Sequence, residues 1–278
     1  MRPSRVRARW SQSKPAFCVA SALTDPAVCE LLSLLGFDCI WLDLEHHPRS
    51  SETAANLMRA ARVGVSDIIA RPAKGEFMRL GRLLEAGATG IMYPRCQHAE
   101  EAAEVVRAAR FAPLGTRGVD GGNADMPYAS MSLPAYISAA NARTFIFIQI
   151  EDPDSLEHVE KIAAVPGVDG IFFGPGDFSV LAGIPEQFDH PRIVAAQERI
   201  SDACRAHGRR WGMPGLDHDH VQRILRLGAS FIAWGTDIVV LKEGFESIQK
   251  SFARFGFNFD NQLTPPAPAT SAALYKGT

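Results

Sequence analysis

The sequence predicts a closed (β/α)8 barrel of the TIM type, and three features of the chain support this fold class. Short β-rich runs alternate with longer segments of helical apolar spacing. Several of these runs are almost continuously apolar, as parallel strands are when helices cover them. Polar side chains follow several runs, where a barrel would gather them on one face. A doubly wound open sheet, built from the same units, is the alternative.

The predicted strands are rich in β-branched and aromatic residues, which favour extended backbone. In chain order they are FCVASA from Phe17, CIWLDL from Cys39, DIIAR from Asp67, TGIMY from Thr89, TFIFIQI from Thr144, DGIFFG from Asp169, RWGMP from Arg210 and FIAWG from Phe231. The intervening segments have helical spacing of apolar residues, and they cover 51–63, 76–86, 99–109, 155–164, 191–206, 217–227 and 238–255. Gly87, Gly208 and Gly228 stand just past three of them, where helices end on a residue that tolerates positive φ.

The composition is that of a soluble globular protein. A chain of 278 residues that is 46% hydrophobic can bury a sizeable core and could form one large α/β domain or two smaller ones. The barrel assignment leads us to expect a single domain over 1–260. The Pro/Ala/Thr-rich segment 261–278 is expected to be disordered or to pack against a neighbouring subunit. The basic segment from Arg2 to Arg9 is expected to be a solvated helix or arm. Five scattered cysteines without a C-x-x-C pair are expected to be buried small hydrophobes.

Charge and hydropathy exclude several classes of partner. A formal net charge of -2 provides no electrostatic footprint for nucleic acid. No apolar run approaches the ~20 residues that span a bilayer, and no signal peptide is recognisable, so we expect a cytoplasmic protein without membrane contact.

The ends of the predicted strands carry the candidate functional residues. These are Asp43, Glu45 and His46 after the second strand, Arg71 at the third, Gln149 and Glu151 at the fifth, and Asp177 after the sixth. Each alone has a structural explanation as a helix cap or a surface ion pair. Together they predict an active site at the carboxyl end of a barrel.

The residue types point to a metal-assisted reaction of a 2-oxo acid. Glu151 and Asp177 offer hard oxygen ligands to Mg²⁺, Mn²⁺ or Co²⁺ and leave positions for water and substrate. The planar fork of Arg71 suits a substrate carboxylate. His46 is the candidate base, because imidazole titrates near neutral pH. The cation would stabilise an enolate as a Lewis acid.

Several motifs resemble those of the HpcH/HpaI aldolases, the metal-dependent class II pyruvate aldolases. They are FDCIWLDLEHHP, IIARP, LLEAGATGIMYP, IQIEDPDSLEHVEKIAAVPGVDGIFFGPGDFS and AWGTD, and the likeness runs over about 15–255 in the family's order. The resemblance implies a barrel of the phosphoenolpyruvate/pyruvate-binding type. It also implies reversible cleavage of a 4-hydroxy-2-oxo acid to pyruvate and an aldehyde, as in aldolases for 2-dehydro-3-deoxyglucarate and 4-hydroxy-2-oxoheptanedioate.

Carried over by motif, the resemblance implies a role for each site residue. Glu151 and Asp177 would bind the metal, Arg71 the pyruvate moiety, His46 would be the base, Gln149 would line the metal site, and the backbone of Gly174, Pro175 and Gly176 would approach the substrate. Glu85 stands where the family commonly has an aspartate thought to act with the histidine. The resemblance also implies a homo-oligomer, a hexamer in which partners exchange the last helix.

Other readings of the chain remain open. A related lyase or condensing enzyme that uses an acyl-CoA or oxaloacetate is one alternative, and a non-catalytic barrel that binds a 2-oxo acid is another. His47 stands where relatives often carry alanine, and a supporting or solvent-facing role is expected for it, with direct catalysis as the alternative. His218 and His220 are expected to be surface residues, because no third metal ligand lies near them in sequence.

Overall fold

The computed structural model describes residues 1–263, and it contains a closed barrel of eight parallel strands. The strands pair in chain order, and β1 pairs with β8, which closes the sheet. Their bounds are β1 (Ala16–Ser21), β2 (Cys39–Asp43), β3 (Asp67–Arg71), β4 (Gly90–Tyr93), β5 (Phe145–Ile150), β6 (Gly170–Phe173), β7 (Arg210–Pro214) and β8 (Phe231–Thr236). The predicted barrel is confirmed, and the open sheet is excluded.

Helices alternate with the strands and cover the outside of the barrel. They are α1 (Arg5–Ser11), α2 (Pro26–Leu34), α3 (Ser51–Ala60), α4 (Phe77–Ala86), α5 (Ala99–Ala109), α6 (Leu133–Arg143), α7 (Pro153–Leu156), α8 (Val159–Ala164), α9 (Pro175–Leu181), α10 (Pro191–Ala206), α11 (His218–Arg226) and α12 (Asp237–Ala253), with a 3₁₀ turn at Ala61–Val63. The predicted helix 155–164 is divided into two helices, because the helical backbone is interrupted between Leu156 and Val159. The predicted glycine caps are confirmed, with φ of 127° at Gly87, 64° at Gly208 and 90° at Gly228.

Aromatic side chains fill the barrel interior. Phe145, Phe147, Phe172 and Phe231 are fully buried, and the Phe147 and Phe231 ring centroids lie 4.9 Å apart. Gly90 leaves room for them, because a Cβ there would lie 2.2 Å from the Phe145 ring. The interior is therefore a packed core, and a ligand can bind only between this core and the carboxyl ends of the strands.

The basic segment at the start of the chain forms α1, which packs against the barrel. The solvated helix or arm expected from its charge pattern is therefore wrong. Trp10 is 5% exposed and its ring lies 5.6 Å from that of Phe145, so α1 covers the amino end of the barrel. Arg5 pairs with Asp38 at 2.9 Å, and Arg7 pairs with Asp169 at 2.8 Å. Each acid lies just before a strand, so α1 is fixed by ion pairs and the carboxyl end of the barrel stays open.

The last helix differs from the others because it covers little of its own barrel. Asp237 is its only buried residue, and Phe245, Ile248 and Phe252 are 62%, 54% and 46% exposed. The apolar positions of α12 therefore do not close the barrel from outside.

Other expectations concern single residue types and the chain end. All five cysteines are free and buried, which confirms the prediction for them. None of the helices within residues 1–263 has the length and apolar character needed to cross a bilayer. Of the predicted tail 261–278, the first three residues are exposed, and the rest lies outside the described residues.

Candidate active site

A cavity of about 240 Å³ opens at the carboxyl end of the strands. It gathers most of the residues that the sequence predicted for the site, namely His46, Arg71, Gln149, Glu151, Gly174, Gly176 and Asp177. Pro175 is buried in the first turn of α9 and does not line the cavity. The chain brings these groups together because parallel strands end at one face of the barrel.

Glu151 is the most deeply buried acid of the cavity, at 2% exposure. Its Oε1 accepts a hydrogen bond of 2.7 Å from the backbone N–H of Arg95, and its Oε2 accepts one from the Gln149 amide. Burial, together with the negative charges of Glu45 and Asp177, raises the pKa of Glu151 to about 8. Concentrated negative charge of this kind favours a cation at the same place.

The oxygen atoms around Glu151 fit a hard divalent cation. Asp177 lies in the first turn of α9 with its side chain exposed, and the buried Oε2 of Glu45 lies 3.2 Å from Arg71 Nε. Within the described residues 1–263, no three His, Cys, Asp or Glu side chains form a complete ligand set. A cation held by Glu151 and Asp177 would therefore need water and substrate oxygens to complete its coordination, as Mg²⁺ and Mn²⁺ commonly do.

Gly174 allows the sixth strand to pass close to these carboxylates. A Cβ at this position would lie 2.7 Å from Glu151 Oε2 and 2.9 Å from Gln149 Nε2. Any side chain would thus displace the carboxylate or the amide. The glycine of the G-P-G-D motif is explained by this close approach, and it places the first turn of α9 beside Glu151.

Arg71 is held by Asp43, a candidate functional residue to which the sequence assigned no specific role. Asp43 is the last residue of β2 and Arg71 is the last residue of β3, and the two are paired in the sheet. Arg71 Nε and Nη2 donate to the Asp43 carboxylate oxygens at 2.9 Å and 2.8 Å. Burial alone would raise the pKa of Asp43, but the hydrogen bonds and charge of Arg71 lower it to about 2. Arg71 also lies over the Trp41 ring at 4.6 Å. Its Nη1, 3.5 Å from Gln149 Oε1, is the nitrogen that Asp43 leaves free.

Both histidines of the HHP motif line the cavity, but their surroundings differ. The His46 side chain is 56% exposed, and its Nε2 lies 3.6 Å from Glu45 Oε2. The His47 side chain is 38% exposed, and its Nδ1 lies 3.0 Å from Asp43 Oδ2. The backbone that follows β2 folds back toward the Asp43 side chain, because the Glu45 N–H donates to Asp43 Oδ1 at 3.0 Å.

The structure does not bring Glu85 to the cavity. Glu85 lies in the last turn of α4, in a groove with Arg82 and Arg107, and burial raises its pKa. In a (β/α)8 barrel the helices run antiparallel to the strands, so the last turn of α4 lies at the amino end of the barrel. Within one chain, Glu85 therefore lies away from His46 and from the cavity.

His220 corrects a second expectation, because it is not a surface residue. It is 5% exposed, and its Nδ1 accepts a hydrogen bond of 3.3 Å from the Leu216 N–H. Burial lowers the pKa of His220 to about 4. His218 is exposed, as expected, and its ring lies 5.4 Å from that of Trp234.

Comparisons with known proteins identify the family of the chain. The family model for HpcH/HpaI aldolase/citrate lyase matches residues 18–243. A 5-keto-4-deoxy-D-glucarate aldolase of Enterobacter sp. (strain 638) is 31% identical over 252 residues, 91% of this chain and 98% of that protein. A 4-hydroxy-2-oxo-heptane-1,7-dioate aldolase of Escherichia coli is 32% identical over 250 residues, 90% and 94% of the two chains. The crystal structure of an HpcH/HpaI aldolase from Desulfitobacterium hafniense DCB-2 superposes with a TM-score of 0.84 at 28% identity, over 91% of this chain and 98% of that one. The chain therefore belongs to the HpcH/HpaI aldolase/citrate lyase family.

Proposed function

We propose that this enzyme is a metal-dependent aldolase that reversibly cleaves a 4-hydroxy-2-oxo acid to pyruvate and an aldehyde. The observation that carries the proposal is the buried carboxylate of Glu151, linked through Gln149 to Arg71 in one cavity. This arrangement joins a cation site to a fixed positive charge, and a 2-oxo acid presents one oxygen to each. The aldolase names of the relatives support the same reaction.

Glu151 and Asp177 are the residues that would hold the divalent ion, whether Mg²⁺, Mn²⁺ or Co²⁺. When bound, the ion supplies Lewis-acid polarisation of the 2-oxo group. Arg71 Nη1 would hold the pyruvate moiety, because Asp43 already binds the other two nitrogens of that guanidinium. The glycines 174 and 176 leave the backbone open to close approach by the substrate.

Cleavage needs a base for the hydroxyl at C4. The motif match names His46, and the structure places a second imidazole, that of His47, in the same cavity. The base takes the C4 hydroxyl proton, the C3–C4 bond breaks, and the electron pair forms an enolate that Arg71 helps to stabilise. No lysine is among the described residues that line the cavity, so this site offers no amine for a Schiff base.

Condensation of pyruvate with a panel of aldehydes tests the proposal. EDTA-treated protein is incubated with pyruvate, Mn²⁺ and one aldehyde at a time. The aldehydes include glycolaldehyde and succinic semialdehyde, and the products are identified by mass spectrometry. We expect a product with the combined mass of pyruvate and one aldehyde, formed only with metal. A product that forms equally well in EDTA, or that is trapped on the protein by borohydride, would contradict the metal-dependent mechanism.

We also propose that the chain forms a homo-oligomer. The exposed apolar side chains of α12 support an interface there, since a monomer would leave Phe245 and Ile248 in water. The family resemblance implies a hexamer.

A further inference from the structure

A second cavity of about 240 Å³ lies at the amino end of the barrel, away from the candidate active site. Three arginines line it: Arg2, which precedes α1, Arg62 in the 3₁₀ turn after α3, and Arg143 at the end of α6. The apolar part of its wall includes Met58, Ile68, Pro127 and Tyr128. The fold thus brings three guanidinium groups around one partly apolar cavity.

The acid in the wall of this cavity does not balance the three arginines. Asp125 lines the cavity, but its carboxylate already accepts hydrogen bonds from Arg143 at 2.9 Å and from Arg117 at 3.0 Å. It accepts a third from the Tyr136 hydroxyl at 2.9 Å. The wall therefore carries three guanidinium groups and one carboxylate, and a fourth arginine shares that carboxylate.

The positive charges lie close enough to affect one another. Burial lowers the pKa of Arg2, and the charges of Arg143 and Arg62 lower it further, whereas Asp67 acts in the opposite direction. Positive groups that interact in this way repel one another across the cavity. A bound anion would relieve this repulsion.

Each of the three arginines also keeps a nitrogen that the protein does not bind. Arg2 donates to backbone carbonyls through Nη1 and Nη2, and Arg62 donates to the Ala124 carbonyl through Nη2 at 2.6 Å. Arg143 donates to two side-chain oxygens through Nη1 and Nη2. Within residues 1–263 no hydrogen bond involves the Nε of these arginines, and that of Arg143 is buried. In native proteins a bound ion or water commonly satisfies a buried donor of this kind.

The loop that forms one side of the cavity has an unusual backbone. Tyr128 and Ala129 have φ of 54° and 61°, in the left-handed region that few side chains adopt. Tyr128 lines the cavity and is 63% exposed. Left-handed backbone at residues other than glycine is concentrated at functional sites. The Tyr128 ring is placed to cover the apolar part of a ligand.

We propose that this cavity, lined by Arg2, Arg62 and Arg143, binds a small organic anion with one carboxylate or phosphate group on a short apolar body. The anionic oxygens pair with the guanidinium groups in charge-assisted hydrogen bonds. The apolar body lies against Met58 and Ile68, since ligand pockets combine apolar walls with a few polar groups. The site is separate from the one proposed for the 2-oxo acid, so the inference does not depend on the aldolase reaction.

Titration of two probes tests the proposal. Phenyl phosphate and 3-phenylpropionate are titrated into the EDTA-treated full chain, and binding is measured by isothermal calorimetry at constant ionic strength. We expect at least one probe to bind once per chain with a Kd of about 1 mM or lower. The tighter of the two probes identifies whether the site prefers a phosphate or a carboxylate.

The variants are Arg62→Gln and Tyr128→Ala, and both side chains are exposed, so the fold should be retained, as circular dichroism would check. Arg62→Gln should weaken binding at least tenfold, because a charge-assisted hydrogen bond is lost. Tyr128→Ala should weaken it about threefold or more. Arg59→Gln is the matched control, because Arg59 is an exposed arginine of α3 that bonds to Asn56, and its binding should stay within twofold of wild type.

Three results would overturn the assignment. The first is a failure of both probes to saturate the protein at about 10 mM. The second is equal binding in wild type and Arg62→Gln, or an equal loss in Arg62→Gln and Arg59→Gln, which would indicate a general effect of net charge. The third is displacement of the probe by pyruvate with Mn²⁺, which would place the probe in the candidate active site.

Discussion

Asp43 is the residue on which the order of the cavity depends. It joins the ends of β2 and β3 through two hydrogen bonds to Arg71, and it turns the following backbone through a bond from Glu45 N–H. One carboxylate therefore fixes a guanidinium, an imidazole and a loop. Both partners of the Arg71–Asp43 pair are buried, and loss of Asp43 would leave Arg71 with Glu45 Oε2, 3.2 Å from its Nε, as a remaining carboxylate partner.

We expect Asp43→Ala to lower the free energy of unfolding by about 1.5–3 kcal/mol, because the buried Arg71 loses two charge-assisted hydrogen bonds and keeps Glu45, 3.2 Å away, as a partner. Urea denaturation monitored by circular dichroism measures the change. Glu157→Ala is the matched control, since it removes an ion pair with Arg199 in which Glu157 is 67% exposed. That change should cost about 1 kcal/mol or less. Equal effects of the two substitutions would show that burial of the Asp43 pair is unimportant.

A second prediction at the scale of single residues concerns the proposed metal ligands Glu151 and Asp177. Glu151→Gln and Asp177→Asn should each weaken Mn²⁺ binding at least tenfold, because each removes a charged oxygen ligand. Titration of Mn²⁺ by electron paramagnetic resonance measures the free ion directly. Glu85→Gln is the control, because Glu85 lies in the groove beside α5, and it should bind Mn²⁺ as wild type does. Weakened binding only in Glu85→Gln would reverse the placement of the site.

At the scale of elements, most of the barrel could be predicted because strands and helices have local signals. The strand DIIAR and the helices 99–109 and 191–206 have the predicted bounds. The role of α1 could not be predicted, since its arginines read as solvated until the topology places Asp38 and Asp169 beside them. The sequence suggested a supporting or solvent-facing role for His47 but could not name Asp43 as its partner, because the turn after β2 decides which of two adjacent imidazoles contacts that carboxylate.

The place of Glu85 in the fold could not be predicted from the motif match. Its position in the chain suggested a partner for His46, but a residue in the last turn of α4 lies at the other end of the barrel. The order of residues in the sequence does not show in which direction a helix runs relative to the strands. The polar ends of strands were predicted correctly because their direction follows from parallel pairing.

The first turn of α11 makes a prediction about pH. The pKa of His220 is about 4 in the folded chain, below the usual value of 6.5, because of burial. The unfolded chain therefore binds a proton as pH falls below 6.5, the folded chain does not, and stability is lost down to about pH 4. The loss attributable to His220 is about 3 kcal/mol.

Replacement of His220 by glutamine should remove this part of the pH dependence. Urea denaturation between pH 7 and pH 4.5 should show a smaller loss of unfolding free energy in His220→Gln than in wild type. His218→Gln is the control on the same helix, since His218 is exposed and should keep the wild-type slope. Parallel slopes for wild type and His220→Gln would mean that His220 titrates normally in the folded protein.

At the scale of the whole molecule, α12 carries the proposed assembly. If its apolar side chains form a subunit interface, light scattering should give a mass near six times 30.2 kDa. Phe245→Asp together with Phe252→Asp should dissociate the assembly, because two charges would enter an apolar contact. Val63→Asp is an exposed apolar control on the 3₁₀ turn after α3. A wild-type monomer at 50 µM, or an unchanged mass in the double variant, would contradict the role of α12.

The proposed chemistry depends on the strand ends, the packed core beneath the cavity and the fixed arginine, which together would present one cation site to a 2-oxo acid. The packed aromatic core beneath the cavity keeps water out from below, and α1 covers the opposite end. Formation of a pyruvate enolate is the step that every aldehyde substrate would share.

The most direct measurement is pyruvate C3 proton exchange in heavy water, followed by NMR with EDTA-treated wild-type protein before and after addition of Mg²⁺ or Mn²⁺. We predict exchange that appears only with the metal, and that falls at least 100-fold in Glu151→Gln with the same metal. Folded wild-type protein that shows no exchange with either metal, or exchange that persists in EDTA, would contradict a metal-stabilised enolate at this site.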